Sequence, residues 1–128
     1  MTRAAAGVFD RRIQIQESRE EEDASGDPIQ KWGDEFKLWA ERRVNKPGKE
    51  VQAAGGTLRQ FDLTFRVRDN GLSRRIAPET HRVTYQGKIY EIISVLPGWD
   101  REDVIDVFVA ARPDQRGPRG DDGVTDGP

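Results

Sequence analysis

Nine basic side chains in the middle of the chain are the residues best able to bind a charged partner. Five of them bracket one loop, and four lie on or just after the strand predicted to follow it. Cations at this density suit phosphate groups or an acidic protein surface, and an ordinary solvated face is the alternative that the sequence leaves open. The loop residues are Arg42, Arg43, Lys46, Lys49 and Arg59, and the strand residues are Arg66, Arg68, Arg74 and Arg75.

The sequence supports acid–base catalysis less well than it supports binding of a charged partner. Four carboxylates lie close together near residue 103, but a hydrolase would also need a pocket that shifts their pKa values. We therefore expect these carboxylates to be structural or solvated. His81 stands beside Arg82, whose charge opposes a second positive charge, so we expect a surface or strand-end histidine. The four carboxylates are Asp100, Glu102, Asp103 and Asp106.

The composition removes most other enzyme chemistry. The chain contains no cysteine, which excludes thiol nucleophiles, Cys-ligated zinc and iron–sulfur clusters, and its single histidine excludes any site with two histidines. The spacings of the P-loop, GxGxxG, GxSxG, HExxH and EF-hand motifs do not occur. We expect a protein that is not an enzyme and that binds no cofactor and no metal.

Stacking on nucleic-acid bases is a third chemistry, offered by aromatic residues among the cations. An OB-like nucleic-acid-binding module needs aromatic and basic side chains on one face of a barrel. Phe61 and Phe65 instead alternate with polar residues, which predicts that they point into the core. This pattern counts against base stacking, and the OB-like module remains as an alternative function. The other aromatic residues considered are Trp32, Trp39, Trp99, Tyr85 and Tyr90.

The chain that must position these residues has 128 amino acids, of which 34% are hydrophobic and 34% charged. This length and composition suit one small domain, and no apolar stretch approaches the roughly 20 residues that span a bilayer, so we expect no membrane contact. We expect a single β-barrel domain over residues 10–112, with a flexible N-terminus at 1–9. Residues 113–128 contain only one apolar residue, Val124, and are predicted to be a disordered tail.

Alternation of apolar and polar residues with period two predicts the strands. In the longest run, Phe65 and Val67 should point inward while Arg66 points outward. Gln86 and Gly87 predict a tight β-hairpin turn, and the apolar run after them predicts a central strand with a bulge near Ile92. The fold class is all-β, a small antiparallel barrel or sandwich of about six strands. The predicted strands are residues 12–16, 36–44, 59–68, 82–85, 88–96 and 104–111.

Two segments are predicted to be loops. Residues 17–27 carry six carboxylates against one arginine and should be solvated. Residues 45–58 are long for a connection in a compact domain, and we expect a short helical turn over 49–54. The apolar side of this second loop predicts docking against another subunit. The expected interface residues are Lys46, Lys49, Glu50, Val51, Ala53, Ala54 and Leu58.

The order of several short motifs resembles the head-tail joining (head completion, or stopper) proteins of long-tailed bacteriophages and related gene transfer agents. The resemblance covers roughly residues 9–112, and no single piece is diagnostic. The stretch 69–80 looks longer than the family's usual turn, and the tail after Pro113 is an addition. The matching landmarks are residues 10–16, the acidic loop, Trp32, residues 38–41, residues 48–55, residues 65–68 and residues 87–92.

The resemblance implies a structural protein of the virion neck, assembled in the cytoplasm of the bacterial host. Copies of the chain would form a ring that joins head to tail and closes the DNA channel after packaging. Its partners would be a portal or adaptor protein, a tail protein and packaged double-stranded DNA, bound without sequence specificity. A tail terminator or tail completion protein is the nearest alternative. The resemblance also implies that Trp32, Trp39, Phe65, Tyr90 and Ile92 belong to the barrel itself.

Overall fold

The computed structural model describes residues 8–44, 48–53 and 55–112 and consists of strands and turns. Six strands hydrogen-bond in the circular order β1-β2-β5-β8-β7-β6 and close a barrel, and β3 and β4 form a separate two-stranded sheet. All neighbouring strands are antiparallel. The strands are β1 Arg11–Glu22, β2 Pro28–Val44, β3 Glu50–Gln52, β4 Leu58–Gln60, β5 Leu63–Arg68, β6 His81–Tyr85, β7 Lys88–Pro97 and β8 Val104–Ala111.

The barrel interior confirms the period-two prediction. Alternate residues of the strands, such as Ile13 and Ile15 on β1 and Phe65 and Val67 on β5, are all fully buried. Phe65 makes edge contacts with two tyrosines, at ring-centroid distances of 5.2 Å and 6.0 Å. Closure leaves the barrel strands paired on both sides, which removes exposed sheet edges from most of their length.

The turn between β6 and β7 is a two-residue connection, as predicted. Gln86 and Gly87 both have positive φ angles, 50° and 77°, which is the geometry of a type I′ hairpin turn. The predicted bulge is also confirmed, because the β7–β8 register shifts between Ile92 and Ser94. Ile92 therefore faces the barrel core, while Ile93 packs in a second cluster on the outer surface.

The acidic segment 17–27 is solvated, but the prediction of a loop is wrong. Strand β1 continues to Glu22 and pairs with β2 as far as Pro28, and the chain reverses at 23–27. Neither β5 nor β6 pairs with this part, so residues 18–32 extend past the barrel as a two-stranded ribbon, here called the acidic arm. Exposed carboxylates do not prevent a strand whose backbone bonds are satisfied by its partner.

Residues 49–53 are not helical, which corrects the predicted helical turn over 49–54, whose last residue lies outside the described ranges. Glu50–Gln52 forms β3, which pairs with β4 to make a hairpin, and Gly56 has the positive φ that its turn requires. Val51 and Ala53 pack on the barrel's own outer cluster of Phe61, Ile93 and Ala110. A helix of less than two turns is unstable in water. The three-residue strand β3 instead gains backbone hydrogen bonds from its pairing with β4.

The predicted strand over 59–68 is two strands, β4 and β5, separated at Phe61 and Asp62. Phe61 leaves the strand to pack edge-on against Phe108 at 4.9 Å in the outer cluster. The Asp62 carboxylate accepts a hydrogen bond from the Ala111 backbone N–H at 2.7 Å. This break turns the β3–β4 hairpin back over β7 and β8, and an Arg59–Glu91 ion pair at 3.1 Å holds it there.

Candidate assembly surfaces

Arg66 lies at the centre of a buried ion cluster on the outer face of β5. Its guanidinium donates to both oxygens of Asp106, at 2.7 Å and 3.0 Å, and to both oxygens of Asp100, at 2.6 Å and 3.2 Å. Asp106 is directly opposite Arg66 in the β5–β8 register, so the sheet itself aligns this pair. The hydrogen bonds to Asp106, and then those to Asp100, raise the pKa of Arg66 above its usual value.

The prediction that Arg66 is among the cations available to DNA or a partner is therefore wrong, because only 3% of the residue is exposed. The side chain does leave β5 on its outer face, as the alternation requires, but the loop 98–103 covers it. The same contacts lower the pKa of the Asp100 carboxyl, chiefly through its hydrogen bonds from Arg66. Asp100 and Asp106 thus have structural roles, as the sequence predicted.

The loop over Arg66 carries Trp99, whose indole is one of the most exposed apolar groups of the described chain. Trp99 is 84% exposed, and Val44 beside it is 67% exposed. The loop is held at one end by the Gly98 N–H bond to the Val104 carbonyl at 3.0 Å, and in its middle by Arg66 and Asp100. From the sequence, Trp99 is predicted only as a candidate for base stacking, and its position after Pro97 and Gly98 is the local signal for an exposed side chain.

His81 is the first residue of β6, a strand-end histidine as predicted, and it is buried. Its Nδ1 accepts a hydrogen bond from the Ala77 backbone N–H at 3.1 Å, so Nε2 carries the proton and donates to Glu35 at 2.8 Å. Arg75 also binds the Glu35 carboxylate. This network fixes the segment 69–80, which includes a 3₁₀ turn at Ser73–Arg75, to β2 and β6.

Glu17, Glu35 and His81 present ligand atoms within 4.8 Å of one another and are therefore a candidate metal site among the described residues. The donor set does not fit a metal ion, because the Nε2 atom that faces the carboxylates carries the imidazole proton. A metal at Nε2 would need Nδ1 to hold the proton, and Nδ1 accepts from a backbone N–H instead. The hydrogen bonds make this a structural network.

The predicted basic residues do not converge on one patch. Arg74 pairs with Asp69 at 2.7 Å and Arg75 with Glu35, both beside the acidic arm, whereas Arg42 and Lys49 lie at the opposite barrel end, where the β3–β4 hairpin leaves. Arg68 stacks on the Phe9 ring at 4.4 Å. Arg43 lines a cleft of about 220 Å³ beside Trp99, and Lys46 lies outside the described residues.

Three exposed cations share the hairpin end of the barrel and have no ion pair within the described ranges. Two of them, Arg42 and Lys49, are among the predicted basic residues. The third, Lys88, is not; it follows the type I′ turn and lies opposite Tyr85. We call them the hairpin-end cations. Sequence reasoning missed Lys88 because only barrel closure places the β6–β7 turn at the same end of the barrel as the end of β2 and the β3–β4 hairpin. The hairpin-end cations are Arg42, Lys49 and Lys88.

The tryptophans assigned to the barrel are arranged differently from the prediction. Trp39 is on the outer face of β2 and 53% exposed, with the Arg12 guanidinium 4.7 Å from its ring. Trp32 lies in the acidic arm under Arg82, at 4.4 Å. The prediction of burial is therefore wrong for Trp39, whereas Tyr90 and Ile92 are buried as expected. Cation–π contacts occupy one face of each of these rings, which leaves less surface for stacked bases.

The predicted interface loop is partly used within the chain. Val51 and Ala53 pack on the outer cluster, so the expectation that they lack an intramolecular partner is wrong. Leu58 is 65% exposed, and Lys49 and Glu50 are also exposed. Ala54 lies outside the described residues. The hairpin's available surface is therefore its Leu58 side.

The family model described as phage head completion protein matches residues 4–112, which includes the whole barrel, the acidic arm and the β3–β4 hairpin. The chain belongs to this family. A head completion protein is a structural component of the phage particle, and this role agrees with a site in which three of the four carboxylates near residue 103 are bound by arginines. No curated protein sequence matches the chain.

Solved structures share the head completion protein's fold. The solution structure of protein SF1141 from Shigella flexneri 2a aligns with a TM-score of 0.60 and 21% identity, over 85% of this chain and 97% of that one. A chain from the virion of a native gene transfer agent particle aligns with a TM-score of 0.53 and 22% identity, over 80% of this chain and 93% of that one. At these identities the likeness supports the all-β fold.

No helix among the described residues of the head completion protein is long and apolar enough to cross a membrane.

Proposed function

We propose that copies of this head completion protein form a ring in the virion neck, which joins the head to the tail and closes the DNA channel after packaging. The family match over residues 4–112 is the observation that carries this proposal. The ring would contact a portal or adaptor protein on the head side and a tail protein on the other. It would assemble in the cytoplasm of the bacterial host.

The charge distribution supports a particular orientation toward DNA. The hairpin-end cations lie at one end of the barrel, and the acidic arm projects from the other, with Glu20, Glu21 and Glu22 all exposed. Phosphates are attracted to the first end and repelled by the second. DNA would therefore contact the ring through the hairpin end, by phosphate contacts that carry no sequence information.

The hairpin supports a second contact. Val51 and Ala53 fix it to the barrel, so that Leu58 and the neighbouring charged residues are presented on a rigid surface rather than a mobile loop. A preorganised surface loses less conformational entropy when it binds. We assign the exposed hairpin residues Lys49, Glu50 and Leu58 to contact with a neighbouring subunit or the portal side.

Deletion of the gene tests the joining function. Loss of the protein should yield packaged heads that leak DNA beside finished, unattached tails. Tails of abnormal length would instead indicate a tail terminator, and normal infectious particles would refute a role in the neck altogether. A density map of the neck should show the barrel as a ring between head and tail.

Charge reversal tests the DNA contact separately. The variant Arg42→Glu/Lys88→Glu should form particles that lose packaged DNA faster than wild type, because the channel-facing cations become anions. The matched control Arg19→Glu/Lys31→Glu changes the same charge types in the acidic arm, where both side chains are exposed. Equal DNA retention in the two variants would refute the assignment of the hairpin end to DNA.

A further inference from the structure

Trp99 has no function in the fold that explains its exposure. Its loop is held to the barrel by the buried Arg66 cluster, yet the residue is 84% exposed. Tryptophans that a rigid loop holds in solvent are typical of the residues that dominate protein interfaces. The loop carries three carboxylates against Arg101, but Asp100 pairs with Arg66 and Asp103 with Arg101, so its excess negative charge rests mainly on the exposed Glu102.

A groove of about 350 Å³ lies elsewhere on the barrel and has the opposite charge. It runs along β1 and β6 and is lined by two exposed cations, Arg12 and Lys37, with Thr84 and Gly87 at its other side. None of its lining residues is a carboxylate. The exposed Trp39 ring stacks under Arg12 at its rim.

The loop and the groove lie on opposite sides of the barrel. In the strand order β1-β2-β5-β8-β7-β6, β8 is opposite β1 and β5 is opposite β6. The cleft beside Trp99 is lined mainly by residues of β5, β8 and the end of β2, and the groove mainly by residues of β1, β6 and the β6–β7 turn, with Lys37 contributed by the middle of β2. A cyclic ring of identical subunits needs two different, complementary patches on opposite sides of each copy.

We propose that Trp99 of one copy inserts into the Arg12–Lys37 groove of the next copy, and that this contact repeats around the ring. The acidic loop would then face Arg12 and Lys37 of its neighbour, which fixes the register of the contact by charge. The inference rests on the proposed ring and names the two surfaces that close it.

Crosslinking in assembled particles tests the contact. The chain contains no cysteine, so thiols introduced by Glu102→Cys in the Trp99 loop and Thr84→Cys in the groove are the only ones through which a short bismaleimide can join two copies of this chain. The double variant should give a ladder of trimers and larger covalent multimers, because a head-to-tail contact continues beyond two copies. Each single variant should give no ladder, and neither should Glu102→Cys/Ser25→Cys, whose second thiol lies in the turn of the acidic arm.

Adding Trp99→Ala to the crosslinking pair should reduce the ladder by roughly tenfold or more, as expected for an interface residue of this type. The melting temperature of the Trp99→Ala protein should stay at the wild-type value, since the indole is solvent-exposed. A neck that contains the protein but yields no ladder, or a ladder that is insensitive to Trp99→Ala, overturns this inference and leaves the ring proposal intact. Particles without the protein at the neck overturn the ring proposal itself.

Discussion

The substitution Asp106→Asn should be among the most damaging single changes outside the barrel interior. Arg66 and Asp106 have side chains only 4% and 5% exposed, and they are joined by two hydrogen bonds of 2.7 Å and 3.0 Å. Removing one partner of a buried pair typically costs 3 to 5 kcal/mol, because the remaining charge stays out of water. Asp100 still neutralises part of Arg66 here, so we expect about 3 kcal/mol.

Chemical denaturation monitored by tryptophan fluorescence measures this loss directly. For a domain of this size, about 3 kcal/mol corresponds to a fall in melting temperature of about 12 °C or more. The matched control is Asp103→Asn, which removes the same charge from an exposed pair with Arg101, and exposed pairs contribute little to stability. The control should therefore unfold close to wild type.

A double variant separates the cost of the orphaned charge from the value of the pair. Arg66→Met/Asp106→Leu removes both charges and keeps apolar volume, and it should be more stable than Asp106→Asn alone. If Asp106→Asn unfolds within 1 kcal/mol of wild type, or no differently from Asp103→Asn, the argument that burial makes this pair essential is refuted.

Three further predictions concern the core, the Trp99 loop and the effect of pH. Phe65→Ala should lower the free energy of unfolding by about 3 to 5 kcal/mol, since the side chain is fully buried. Gly98→Ala should cost about 1 to 3 kcal/mol, because a Cβ there would lie 2.4 Å from a Val104 methyl group, whereas Gly71→Ala meets no atom within 4 Å and should be neutral. The stabilising contact of Asp100 with Arg66 should be fully present above about pH 4 and lost as the pH falls through the lowered pKa of Asp100. The stability difference between wild type and Asp100→Asn should therefore shrink on acidification.

Urea or thermal unfolding checks all three, with a pH series for the last. A Phe65→Ala variant as stable as wild type would show that the barrel interior is not the main core. Equal effects of Gly98→Ala and Gly71→Ala would contradict the close approach at the Trp99 loop. A difference between wild type and Asp100→Asn that stays constant from pH 7 to below pH 3 would contradict the ionic role of Asp100.

The strands of the barrel interior were determined by the sequence alone. A side chain on a strand reverses face at each residue, so Ile13, Ile15, Phe65 and Val67 show which face is buried without reference to any partner. The β6–β7 turn was equally local, because Gly87 adopts the positive φ that the type I′ turn needs. Family membership was also readable, since it depends on the order of such local motifs.

The remaining features depend on contacts between residues that are far apart in the chain. Arg66 is buried because closure of β5 against β8 places Asp106 beside it, 40 residues later, whereas alternation alone predicts only that its side chain points outward. Glu50–Gln52 is a strand because β4 pairs with it, and the acidic residues 17–22 are a strand because β2 satisfies their backbone bonds. Local sequence sets the face that each residue occupies, but only the tertiary structure decides whether that face is covered, and this is why Trp99 is exposed while Arg66 is buried.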